Sequence, residues 1–79
     1  MTTQEKQIRL LFEFAMSFEH EGYKVQVTLF EKGVAWVGFY DFHDKIKLKS
    51  ALSINQFSEN VEQEVTEFIA DIKEVLSND

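Results

Sequence analysis

Apolar residues change their spacing twice along this chain, and few folds accept that pattern. From Ile8 to Phe18 they recur every three or four positions, with Ile8, Leu11, Phe12, Ala15 and Phe18 on one helical face. From Tyr23 to Tyr40 they alternate in two runs about Glu31-Lys32-Gly33. From Val61 to Leu76 the helical spacing returns, through Val61, Val65, Phe68, Ile69, Ile72, Val75 and Leu76. Two helical stripes need an apolar surface to cover, and the inner face of a sheet is the one this chain offers.

The boundaries follow from local chemistry. Thr2-Thr3-Gln4-Glu5 reads as a capping box, with Thr2 as the cap and Glu5 reaching back. The first helix is expected to run to about His20, with Gly22 placed to end it. Leu10, Phe14 and Met16 widen its apolar face beyond a single stripe, so it should touch more than one neighbour. In the first strand Val25, Val27 and Leu29 point inward. Glu31-Lys32-Gly33 makes a tight loop, with Gly33 left-handed. That register pairs Phe30 with Val34, Val27 with Val37 and Val25 with Phe39. The second strand, Val34 to about Asp41, directs Ala35, Val37 and Phe39 inward and Val34, Trp36, Gly38 and Tyr40 outward. Phe42-His43-Asp44 is a second turn. Lys45 to Ala51 reads as a third strand with Ile46 and Leu48 inward and Lys45, Lys47 and Lys49 outward. Leu52 to Phe57 is a connection, and Ser58 is the expected cap of the second helix.

The expected fold class is therefore α+β. It is a two-layer α-β-β-β-α sandwich, a three-stranded antiparallel sheet with both helices on one face and the other face open. Residues 1–79 form a single domain. The chain has no cysteine, which removes disulfides and thiolate metal sites and fits a cytoplasmic location. No basic start followed by an apolar run is present near Met1, so no signal peptide is expected, and no apolar run reaches a membrane-spanning length.

Charge is distributed unevenly. Up to Gln56 acids and bases balance, seven of each, whereas Phe57 to Asp79 holds seven acids and Lys73 alone as a base, which accounts for the net −6. Such a balance disfavours nucleic acid and anionic membrane as partners. On the second helix Glu64, Glu67, Asp71 and Glu74 form an acidic stripe beside the apolar one. The plain reading is a solvated helix face. The sharper reading is a row of carboxylates imitating phosphates, as an inhibitor of a nucleic-acid enzyme, for instance one of phage type, would use.

The open sheet face is the other candidate surface. Trp36 and Tyr40, with Phe30 near the hairpin and Lys24, Lys45, Lys47 and Lys49 around them, would meet a partner there. Aromatic rings beside lysines also suit stacking of single-stranded bases, although outward lysines ordinarily just blunt a sheet edge. Leu10, Phe14, Met16, Phe30, Val34, Trp36, Tyr40, Phe42, Leu52, Ile54 and Phe57 exceed what the expected core needs, and an apolar surplus of this kind marks interfaces.

Catalytic signatures are missing. There is no nucleophile elbow, phosphate-binding glycine loop or metalloprotease helix. Asp41, His43 and Asp44 in one turn are ordinary turn residues before they are metal ligands. The element order resembles that of double-stranded RNA-binding domains. Those carry lysines where the second helix begins, and this chain carries Glu59, Glu62 and Glu64, so the resemblance implies topology and not RNA binding. The expectation is a small non-enzymatic protein-binding module, of adaptor or inhibitor type. It has no cofactor, metal or small-molecule substrate, and its partner is another protein or a second copy in a homodimer. The alternative is single-stranded nucleic-acid binding through the lysine and aromatic sheet face.

Overall fold

The structure, a computed structural model, describes residues 2–78. Its elements are α1 (Thr3–Ser17), β1 (Tyr23–Glu31), β2 (Val34–Asp41), β3 (Lys47–Ile54) and α2 (Val61–Ser77). The strands form one antiparallel sheet in the order β1-β2-β3. The expected α+β class and element order are what the chain adopts.

α1 starts as its sequence dictates. Thr2 Oγ1 accepts from the Glu5 N–H at 3.1 Å, and Glu5 Oε1 accepts from the Thr2 N–H at 3.3 Å. Two of the helix's orphan donors are thereby satisfied. The helix ends earlier than expected, at Ser17 rather than near His20. Ser17 Oγ donates back to the Glu13 carbonyl at 2.9 Å, and Phe18 turns extended. In that conformation the Phe18 ring meets Phe39 edge-on at 6.1 Å. Gly22 therefore does not terminate the helix. It sits in the turn before β1 with φ +85°, against the His43 ring.

The β1–β2 register is the expected one over most of its length, with Val25 opposite Phe39 and Val27 opposite Val37. Near the turn the pairing shifts: Glu31, not Phe30, faces Val34, and Phe30 is left as a bulge. Gly33, at φ +79°, supplies the left-handed residue that this tight loop requires.

β3 departs most from expectation. It begins at Lys47 and continues to Ile54, and a bulge at Lys49 shifts its pairing by one residue. Past the bulge Ser50 faces Phe39, Leu52 faces Val37 and Ile54 faces Ala35. A one-residue slip exchanges the two faces of a strand. Ile54 is thus buried at 2% exposure, while Ile46 and Leu48 lie 69% and 52% exposed. The expectation that Ile46 and Leu48 point inward is overturned. So is the placing of Leu52 and Ile54 outside the core.

α2 is capped by Asn60, whose side chain accepts from the Gln63 N–H, and not by Ser58. Ser58 instead closes the preceding turn, its Oγ accepting from the Asn55 N–H at 3.1 Å. Val61, Val65, Phe68 and Ile72 are buried as the stripe predicts. They join Ile8 and Leu11 of α1 and Val25, Ala35, Val37, Phe39 and Ile54 of the sheet in one cluster. α1 lies against β1, α2 against β3, and the helices touch each other. Phe39, Leu11, Ile54 and Ile72 are fully enclosed, and each such side chain contributes about 1.5–3 kcal/mol by burial. Phe14 also packs on this core, whereas Leu10 and Met16, which the sequence also placed on the wide apolar face of α1, stay 42% and 85% exposed.

Candidate binding surfaces

The outward side of the sheet is read directly from its pairing. Trp36 lies between Thr28 and Ser53, Gly38 between Gln26 and Ala51, and Tyr40 between Lys24 and Leu48. None of these residues belongs to the core cluster or to the side chains packed against it. Gly38 is nevertheless buried. A Cβ on it would stand 2.5 Å from Trp36 Cη2 and 3.0 Å from Tyr40 Cε2, so both rings lie down over the glycine from either side. Tyr40 in turn meets Phe42 at 6.2 Å, and Trp36 meets Tyr40 at 6.4 Å, each pair tilted. The result is an aromatic ridge Trp36–Tyr40–Phe42, bordered by Leu48 across the strand. Trp36 and Tyr40 are partly buried against the sheet, while Phe42 and Leu48 remain exposed.

The lysines do not ring this ridge as the sequence suggested. Lys24 does share its face, beside Tyr40. Lys47 is opposite Asp41, on the side of the sheet that carries Val37 and Phe39. Lys49 sits in the bulge and Lys45 precedes the strand. Phe30 stands exposed in the hairpin bulge, outside the regular pairing. One shifted residue in β3 thus disperses a cluster that even alternation would have assembled.

The acidic stripe keeps its expected place. Glu67, Asp71 and Glu74 are exposed and Glu64 partly buried. Gln63 Nε2 donates to Glu67 Oε1 at 2.9 Å. A groove between α2 and β3 is lined by Ser50, Leu52 and Phe68 together with Glu64, Glu67 and Asp71.

A third group closes the end of the sheet. Tyr23 stacks on Phe39 at 5.4 Å and meets the His43 ring edge-on at 4.8 Å. His43 is fixed by Asp41, whose Oδ1 accepts from the His43 N–H at 2.9 Å and lies 2.8 Å from Nδ1. The backbone hydrogen bond from His43 is the main reason the Asp41 carboxyl is held below the usual carboxylate range. The side-chain bond from His43 and the nearby Lys49 charge act the same way. Glu5 is likewise lowered, chiefly by the Thr2 N–H of the capping box. Among the described residues no group of three or more His, Cys, Asp or Glu side chains is arranged to hold a metal ion. Among the described residues no helix is long and apolar enough to cross a membrane.

The sequence reading missed the part played by Gly38 and the His43 clasp. The first had a signal, since a glycine flanked at two residues' distance by Trp36 and Tyr40 leaves room for both rings on one strand face. The second had none, because Tyr23 and His43 meet only once the sheet has closed. No family model, no curated protein and no solved structure matches the chain.

Proposed function

We propose that this chain is a small non-enzymatic protein-binding module that docks through the outward face of its sheet. The supporting observation is the ridge Trp36–Tyr40–Phe42 with Leu48. It is an apolar surface left outside the core and held in place over Gly38. Rigid aromatic side chains lose little conformational freedom on binding, and Trp and Tyr dominate binding energy where they are desolvated. Lys24 at its border sets a preference for a partner with an acidic group nearby. A homodimer that pairs two such faces is one form of this reading, and a reducing, cytoplasmic setting suits a chain without cysteine. The net charge of −6 and the scattering of Lys45, Lys47 and Lys49 leave nucleic acid the weaker choice for this face.

The reading is tested by affinity capture with wild type and Trp36→Ala, Tyr40→Ala and Lys24→Glu variants, each checked for native circular dichroism. A partner retained by wild type and lost from folded Trp36→Ala and Tyr40→Ala supports it. A partner retained equally by all variants rejects the sheet face. Light scattering over a dilution series identifies a second copy as that partner if the mass is dimeric in wild type and monomeric in Trp36→Ala.

A further inference from the structure

We propose that the free edge of β3, with the α2 flank beside it, takes up an extended basic peptide segment of another protein as an added strand. This rests on the module reading above and gives the module a second surface with a defined partner chemistry.

Among the described residues β3 has β2 on one side and no strand on the other. Sheet edges are ordinarily guarded by charge, bulges or proline. The first part of β3 is guarded in this way, by Lys47, Lys49 and the bulge at Lys49. The second part, Ser50-Ala51-Leu52-Ser53-Ile54, carries no charge, no proline and no bulge. Its outward N–H and C=O groups are a template for one more strand. The groove between α2 and β3 lies along this stretch and is lined by Leu52 and Phe68 together with the carboxylates Glu64, Glu67 and Asp71.

A strand added there gains ladder hydrogen bonds from β3, and every second side chain falls on the helix side of the sheet. Those alternate positions meet the carboxylates of α2, so lysine or arginine at every second residue complements the groove. The same carboxylates discriminate against other occupants. A second copy pairing antiparallel at this edge would keep both helix layers on one side of the joined sheet. Two acidic α2 stripes would then confront each other. An acidic strand or a phosphate backbone meets the same repulsion.

The test uses an end-blocked heptapeptide of alternating lysine and valine. One control is its glutamate–valine counterpart; the other is a lysine–valine peptide N-methylated on alternate backbone nitrogens. Binding is followed by fluorescence anisotropy and amide NMR in low salt. Expected are saturable binding of the lysine peptide, shifts and slowed amide exchange centred on Ser50–Ser53, and no binding of the glutamate peptide. Reversing the exposed pair, Glu67→Lys with Asp71→Lys, should weaken binding about tenfold. N-methylation should weaken it comparably at unchanged charge. Equal binding of the N-methylated peptide would reduce the effect to charge attraction and overturn the proposal. So would shifts centred on Trp36 and Tyr40, or protection of the same edge amides by self-association without peptide. If the lysine peptide fails while Trp36→Ala still abolishes partner capture, the edge proposal falls and the sheet-face reading stands.

Discussion

Gly38 occupies the middle of the central strand, where glycine ordinarily weakens pairing and gives nothing to pack. Here its missing side chain is what Trp36 and Tyr40 use. Restoring a Cβ forces ring ends to move, not backbone, because the nearest atoms belong to the rims of the two side chains. Gly38→Ala should therefore fold. Its stability should stay within about 1 kcal/mol of wild type, since improved strand propensity offsets lost ring packing. Trp36 should leave its seat against the strand, and its emission should shift to the red. An unchanged emission maximum with unchanged quantum yield would show that the rings do not rest on Gly38. The ridge is thus set by a single absent methyl group, and a variant that keeps every aromatic residue can still dismantle it.

The third strand shows how one inserted residue reassigns a whole segment. Ile46 and Leu48 alternate as well as Leu52 and Ile54 do, and either pair would satisfy a period of two. The bulge at Lys49 gives the inner face to Ser50, Leu52 and Ile54. Ile54→Ala should accordingly cost about 2–4 kcal/mol in urea unfolding, as for other enclosed aliphatic side chains. Ile46→Ala should stay within about 0.5 kcal/mol. Equal costs would mean the register is wrong. The remaining elements were legible to different degrees. The α1 cap, the β1–β2 register through Val25 and Val27, and the buried stripe of α2 follow from signals contained within each segment. The end of α1 and the cap of α2 do not. Phe18 is already extended with its ring against Phe39, and the Ser58 hydroxyl accepts from Asn55 while Asn60 caps α2. At the α2 cap it is a competing hydrogen bond only three residues back that overrides a good local signal.

Taken as one body, the protein carries −6 over 79 residues, with seven of its acids in the last part of the chain. Ion pairs of lysine or arginine contribute little against this: among the described residues Lys32 reaches Glu5 only at 4.0 Å, with the lysine largely exposed. Self-repulsion should dominate the electrostatics of folding at neutral pH. Raising sodium chloride from about 20 mM to about 0.5 M should increase Tm by a few degrees, since screening then reaches within about 5 Å. A falling Tm would show that attractive pairs outweigh the repulsion. The order of the five elements, their class, the buried stripes and the uneven charge were all present in the chain itself. Periodicity, the α1 cap and charge are properties of neighbouring residues, and they survive without a fold. The pairing of β3, the lying-down of two rings over Gly38, the dispersal of the lysines and the groove beside α2 were not. Each depends on which of several equally apolar or equally charged positions lands opposite a distant segment. That choice is made by the packing of the whole sheet under its helices, where a shift of one residue turns an inward side chain outward.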